Sequence, residues 1–336
     1  MLEVSLRGSH YDVGFQHGEA LRQVIQCAIR QRCRFFQKDR RPDRQVIEQR
    51  VKRLEAVCPE LVEELRGIAE GARCAFEDVC IYNSLAPRPS CSNLVFPDSD
   101  RGPVLGHVND HKPGGVFDTL FRAEYDAGRH LVYVGIAGLL GVDAGVNSDG
   151  LAFSHSAARP AGPRNDRAIL NWNLITQALL QRCRDCQEAE AFLAEHEVAA
   201  GAENIIAVDR RGRAFVAEIQ PTAVEFRRAE NGPIYCTNRT LAPRIREMID
   251  QDAYEKDAKE IDRLVNRENY FEKVLSDHRG RFSLELMKEV LRCRDEGVEI
   301  CNPYSNWAAI LVPARFEMLV ADRFPCHHEF ERFGGK

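Results

Sequence analysis

The residues best suited to chemistry in this sequence are cysteines, and one of them stands at a boundary. Pro89-Ser90-Cys91-Ser92-Asn93 lies where a helix-like pattern gives way to strand-like runs. A thiol is a good nucleophile once a base takes its proton or its pKa is lowered. A cysteine can supply its own base by becoming the first residue of a chain, because an α-amino group has a pKa of about 8. That requires the Ser90–Cys91 peptide bond to be cut. The thiol can do this by attacking the Ser90 carbonyl, giving a thioester that water hydrolyses. One cysteine among 12 is otherwise a small buried hydrophobe, so local context leaves both readings open.

Other clusters point to less. Cys183-Arg-Asp-Cys186 has the spacing of a redox motif, but it sits in a polar helical run with no strand just before it. Cys326-His327-His328 lacks a second ligand pair at zinc spacing, so a surface role is expected. Arg30, Arg32, Arg34, Lys38, Arg40, Arg41 and Arg44 are interrupted by Asp39 and Asp43 and read as a solvated helix face. No metal and no organic cofactor is implied.

The elements that must position Cys91 follow from periodicity. Residues 19–84 carry apolar positions at helical spacing, with Gly71 and Pro87-Arg88-Pro89 as punctuation at the end. Strand candidates follow at Ser92–Phe96, Pro103–Val108, Phe121–Tyr125, His130–Val134 and Leu151–Ser154, separated by turn signals such as Asn147-Ser148-Asp149-Gly150. Helices are expected over 168–184 and 186–197. Further strands are expected at Asn204–Asp209, Ala214–Gln220, Ala223–Arg228 and Ile234–Thr237, with Asp209-Arg-Arg-Gly212 as a hairpin turn. More helix spans about 241–293, and Ala308–Val312 and Phe316–Val320 close the chain. This alternation builds an α+β fold, a four-layer αββα sandwich of two antiparallel sheets.

The composition narrows the classes. The chain has 336 residues, 44% of them hydrophobic and 29% charged, with a net charge of −5, which suits a soluble globular protein and argues against a nucleic-acid binder. No apolar run reaches the length of a membrane span, and the N-terminus lacks the pattern of a signal peptide. A cytoplasmic location with reduced cysteines is therefore the expectation.

An ordered set of segments carries a resemblance. Leu6-Arg-Gly-Ser-His-Tyr-Asp-Val-Gly-Phe-Gln-His-Gly-Glu-Ala-Leu21 and Cys91-Ser92-Asn93 resemble the isopenicillin N acyltransferase family of N-terminal-nucleophile hydrolases, related to choloylglycine hydrolases. Val104-Leu105-Gly106-His107-Val108-Asn109-Asp110 is similar to the family's Gly-Arg/Gln-Asn-x-Asp segment. Gly145–Ala152, Asn204–Asp209 with Val216-Ala217-Glu218, Cys236-Thr237-Asn238, and Ala309–Pro313 through Phe324-Pro325-Cys326 continue it in order.

The resemblance implies self-cleavage between Ser90 and Cys91. Residues 1–90 would form a small helical chain and residues 91–336 the catalytic chain, associated in one αββα domain. Cys91 would be the nucleophile, Asp110 would hold its ammonium form, and the Asn238 amide would bind the oxyanion. His107 stands where relatives often have arginine or glutamine, and Ser156 where many have an oxyanion asparagine. His107, His155 and Ser156 are therefore substrate-binding candidates. Arg267, in Asn266-Arg267-Glu268-Asn269, where relatives often have a serine-arginine pair, reads as a surface helix arginine, with a pocket role as the alternative.

The partner would be a small-molecule amide or acyl thioester, hydrolysed or used as an acyl donor through an acyl-enzyme. Two other readings stay open: a catalytically silent relative that binds an amide-like ligand, and an unprocessed cysteine hydrolase with His107 or His155 as base.

Overall fold

The computed structural model describes residues 1–35, 44–84, 90–111, 117–158, 172–195, 201–229, 233–249 and 258–334. Lys38, Arg40 and Arg41 of the basic cluster, the Pro87-Arg88-Pro89 signal, and the first residues of the helix expected over 168–184 lie outside them. The chain opens with β1 (Leu2–Gly8), α1 (His10–Ala20), α2 (Arg22–Phe35), α3 (Arg44–Val57), α4 (Pro59–Ala72) and α5 (Phe76–Ser84). Next come β2 (Ser90–Phe96), β3 (Val104–Asp110), β4 (Asp118–Tyr125), β5 (His130–Ile136), β6 (Ala144–Asn147) and β7 (Leu151–Ala157). They are followed by α6 (Trp172–Arg182), α7 (Cys186–Glu195), β8 (Glu203–Asp209), β9 (Ala214–Gln220), β10 (Ala223–Arg228) and β11 (Ile234–Cys236). The chain ends with α8 (Pro243–Met248), α9 (Ala258–Asp277), α10 (Leu284–Arg292), β12 (Ser305–Val312), β13 (Glu317–Asp322) and β14 (Glu331–Gly334).

The chain forms two compact units. The first comprises 1–87, 113–143 and 169–182. Its helices begin at residue 10, ahead of the expected 19, where Ser9 and Asp12 form a capping box. Its strand β1 pairs in parallel with β4, and β4 pairs antiparallel with β5.

Helices α1 and α4 cross with their backbones in contact, because glycines stand on both sides. A Cβ at Gly14 would lie 2.1 Å from the Glu64 carbonyl oxygen, and one at Gly18 2.3 Å from that of Ile68. From the other side, a Cβ at Gly67 would lie 2.2 Å from the Tyr11 oxygen and one at Gly71 2.0 Å from that of Phe15. Gly71 therefore does not stop the helix. The terminator is Arg73, in the left-handed region at φ 54°.

His17, on α1, is 2% exposed, and its Nε2 accepts the Gly138 amide at 2.9 Å. Burial lowers its pKa from 6.5 to about 3. A lowered folded-state pKa gives stability that is complete above the unfolded value and lost as pH falls from about 6.5 toward about 3. The full effect is on the order of 5 kcal/mol. Denaturant midpoints measured across this window should fall in the wild type, and fall less in His17→Gln, whose amide has no comparable titration.

The second unit comprises 88–112, 144–168 and 183–336. It contains four layers. Strands β6 to β10 pair antiparallel in chain order. The facing sheet has the order β11-β2-β3-β12-β13-β14, with every pair antiparallel. Strands β2 and β3 pack on β7, and β12 on β6, to make the inner layer contact.

Helix α7 covers β8 and β9 from outside, while α9 and α10 cover the six-stranded sheet. Helix α10 buries Leu284, Met287 and Leu291 at helical spacing, with Ser283 as its N-cap. Its core includes Leu94, Phe96, Val104, Val108, Ala308 and Ile310 from the sheet, and Phe271 and Met287 from the helices. The expected hairpin turn at Asp209–Gly212 is present, with Gly212 at φ 84° donating its amide to the Asp209 carbonyl at 2.9 Å.

Among the described residues, three strands were not expected: β1, β6 and β14, and the helical stretch expected over 241–293 contains three helices. Cys301 and Cys326 form a disulfide with a Cα–Cα distance of 6.2 Å, against the expectation that all cysteines are reduced. Among the described residues, no helix is long and apolar enough to cross a membrane, and no group of three ligating side chains could hold a metal.

Candidate active site

Cys91 and the residues around it all lie in the second unit. The face on which each side chain emerges follows from strand alternation and cross-strand pairing. On β2, Leu94 and Phe96 join the core under α9 and α10, so Ser92 shares that helix-facing side. Cys91 and Asn93 therefore face the other sheet. Asn93 reaches it: the Ser154 hydroxyl of β7 donates to Asn93 Oδ1 at 2.7 Å. Cys91 is fully buried and lies outside any disulfide.

His107 pairs with Asn93 across β2 and β3 and shares its face. Its Nδ1 lies 2.7 Å from Asn93 Oδ1. A carboxamide oxygen can only accept, so Nδ1 carries the proton and Nε2 presents a lone pair. Burial, and then His155 and His111, hold the His107 pKa well below 6.5, so the ring is neutral.

Asp110 sits on the opposite side of β3, facing the helices. It pairs in register with Ser90 of β2 and Ser305 of β12. Ser305 Oγ donates to its Oδ1 at 2.7 Å, and Asn302 Nδ2 to its Oδ2 at 2.7 Å. Arg267 Nη1 lies 3.3 Å from the same Oδ2 and 3.0 Å from Ser92 Oγ. Burial pushes the Asp110 carboxyl upward, while Arg267, Ser305 and Asn302 pull it back toward ionisation.

Arg267 is therefore not a surface arginine. It is 0% exposed, and its remaining donors go to the Val298 and Glu299 carbonyls. The charged composition of α9 hid one inward position.

Strand β7 divides its candidates between its two faces. Ser156 Oγ donates to the Thr237 carbonyl at 2.7 Å, so Ser154 and Ser156 point toward the six-stranded sheet. His155, between them, emerges on the other face, with Nδ1 3.6 Å from Glu203. Asn238 follows β11, and its amide nitrogen donates to the Ala157 carbonyl at 2.6 Å. Asn204 holds this segment too, donating to the Thr237 and Arg239 carbonyls at 2.9 and 2.8 Å.

Cys236 is a second buried thiol beside Asn93, whose Nδ2 lies 3.4 Å from its Sγ. Burial pushes its pKa up to about 12, so it stays protonated. Cys186, from the apparent redox motif, is a buried thiol that donates to the Arg213 carbonyl at 3.0 Å.

Sequence reading favoured the surface reading of Arg267 over the pocket one, and it missed Asn302, Ser305, Ser154 and Asn204. Asn204 and Ser154 sit in strands whose alternation was legible, but only the register reveals their partners.

Residues 97–317 match the family model described as acyl-coenzyme A:6-aminopenicillanic acid acyl-transferase. The chain belongs to this family and is thus an enzyme of the class that hydrolyses amides or transfers their acyl groups. The matched span contains His107, Asp110, His155, Ser156 and Asn238, and Cys91 lies just before it.

Three solved structures are similar. Penicillin V acylase from Agrobacterium tumefaciens is 14% identical, with a TM-score of 0.47 over 69% of this chain and 83% of the other. A Caenorhabditis elegans N-acylethanolamine-hydrolyzing acid amidase ortholog is 16% identical, with a TM-score of 0.48 over 67% and 93%. A mutant of conjugated bile acid hydrolase from Clostridium perfringens is 9% identical, with a TM-score of 0.46 over 73% and 97%.

Proposed function

We propose that the chain cuts itself between Ser90 and Cys91, and that the freed Cys91 hydrolyses a linear amide or transfers its acyl group. In the first step the thiol adds to the Ser90 carbonyl and the C–N bond breaks, which moves the acyl part to sulfur and frees the Cys91 amine. Water then hydrolyses the thioester. In turnover the amine takes the thiol proton as sulfur attacks the substrate carbonyl. That proton leaves with the departing amine, and water or an acceptor amine resolves the acyl-enzyme.

The observation that carries this reading is the pairing of Ser90 with Asp110. A carboxylate clamped by Arg267, Asn302 and Ser305 lies across from the bond whose cleavage creates an ammonium group. An anion there favours the charged amine. Asn238 and Ser156, at the end of the inner layer, are proposed to bind the oxyanion and the acyl group, and His107 to line the same pocket. Preorganised donors of this kind contribute a few kcal/mol.

Intact mass under denaturing conditions should give two chains, 1–90 and 91–336, which co-elute when native. N-terminal sequencing that finds a start other than Cys91 would reject this reading.

A second expectation concerns Asp110. Asp110→Asn keeps the shape but strands the buried Arg267 charge, which costs about 3–5 kcal/mol. The variant should therefore lose stability as well as cleave slowly, as a denaturant midpoint and a time course of chain separation will read. Normal cleavage at lowered stability would confine Asp110 to a structural role.

A further inference from the structure

We infer that Asn109, with Trp307 and His107, forms a polar recognition row beside Cys91 that selects an acyl group carrying its own amide. This rests on the reading of Cys91 as nucleophile. Asn109 pairs with Cys91 on one side and with Trp307 on the other, so the three side chains form one row across β2, β3 and β12. Their shared face is the one that meets the second sheet.

A bulge makes the row possible. The β3–β12 register shifts between Ser305 and Trp307, so Ser305 serves Asp110 on the helix side while Trp307 joins the inner side. Regular alternation would have put both on one face. Such bulges re-aim side chains.

The row is fully buried, yet its polar atoms are unused. Asn109 Nδ2 and Oδ1, Trp307 Nε1 and His107 Nε2 find no hydrogen-bond partner among the described residues. Buried polar groups are rarely left this way. Together they offer donors from Trp307 and Asn109 and acceptors from Asn109 and His107. The His107 and Trp307 rings pack with centroids 4.8 Å apart and planes tilted by 41°, which sets the spacing.

A hydrocarbon acyl chain would leave all four atoms unsatisfied. An acyl chain with a carbonyl and an N–H close to the scissile bond matches both kinds. The substrate class is therefore an N-acylaminoacyl or peptide-like acyl amide, in preference to a plain alkyl one.

The test uses acetylglycyl p-nitroanilide and pentanoyl p-nitroanilide, which share chain length and leaving amine. Processed wild-type protein should prefer the acetylglycyl substrate by roughly tenfold or more in kcat/KM, as expected when a site must pair buried polar groups. In Asn109→Leu the ratio should fall by roughly the same factor. Trp307→Phe keeps the ring and removes one donor, and should lower the ratio less; it carries the test if the leucine variant fails to fold.

A processed wild type with no preference, or activity on neither substrate, overturns the inference and leaves the Cys91 reading standing. So does a ratio unmoved in both variants. A wild type whose mass shows no cut at Cys91 overturns both, and that result is seen before any substrate is added.

Discussion

Cys91→Ala is expected to stay a single chain of 336 residues and to turn over no amide. Removing a nucleophile lowers kcat on the order of 10⁴-fold or more, because the rest of the site can only orient the substrate. The fold should persist. Cys91 is buried at the start of a strand, and losing one sulfur there costs roughly 1 kcal/mol. Mass spectrometry, circular dichroism and a turnover assay on the one variant are sufficient. A cleaved and active alanine protein would sink the assignment. A folded, uncut and inactive one separates the nucleophile from Cys236, the other thiol of the inner layer, which remains in place.

The second large effect lies far from this chemistry. Gly71→Ala should lower stability by about 3 kcal/mol or more, and the thermal midpoint by roughly 6 °C. The added methyl would sit 2.0 Å from the Phe15 oxygen, a backbone atom that no side-chain rotation can move. The sign is informative, because glycine to alanine inside a free helix gains about 1 kcal/mol of helix propensity. A rise in stability would mean that α1 and α4 can part at little cost. Calorimetry or denaturant titration of the variant gives the answer.

That crossing also marks where sequence reasoning ran out. Gly71 read as a stop because a glycine near the end of a helical pattern usually is one. Its real role depends on α1, far earlier in the chain. The start of α1 was legible in Ser9 and Asp12, but the apolar count began only at residue 19.

Strands with short apolar runs bounded by turn signals, such as β8, β9 and their Asp209–Gly212 hairpin, were legible with bounds good to a residue or so. The unexpected strand β1 buries only Leu6 below a tenth exposure, too little apolar contrast to announce itself. Strand β6 has four residues, and so has β14.

In the candidate site, the residue types were readable and their faces were not. Cys91 stood out as a candidate nucleophile and the resemblance pointed to Asp110 as its acid, but only register places them on opposite sides of the sheet. Asn109 was passed over beside Asp110 because a neutral amide in a strand carries no signal until its lack of partners is seen. Arg267 was hidden by its helix neighbours, most of them polar.

The clamp around Asp110 also sets an order in time. The hairpin of β2 and β3 is local and can close early in folding. The three side chains that hold the carboxylate come from much further along the chain: Arg267 at a separation of 157 residues, Asn302 at 192 and Ser305 at 195. Contacts of such long range are the slow ones, since chain entropy must be lost before they form. As the chain leaves the ribosome, Ser90 and Cys91 emerge long before these partners are synthesised. Under the proposed self-cleavage, scission that depends on the finished clamp would come last, after the C-terminal strands have docked. A chain truncated before β12 would keep its thiol and the bond proposed to break yet lack part of the set that holds the acid, so on that reading the topology itself would disfavour breakage of unfinished chains.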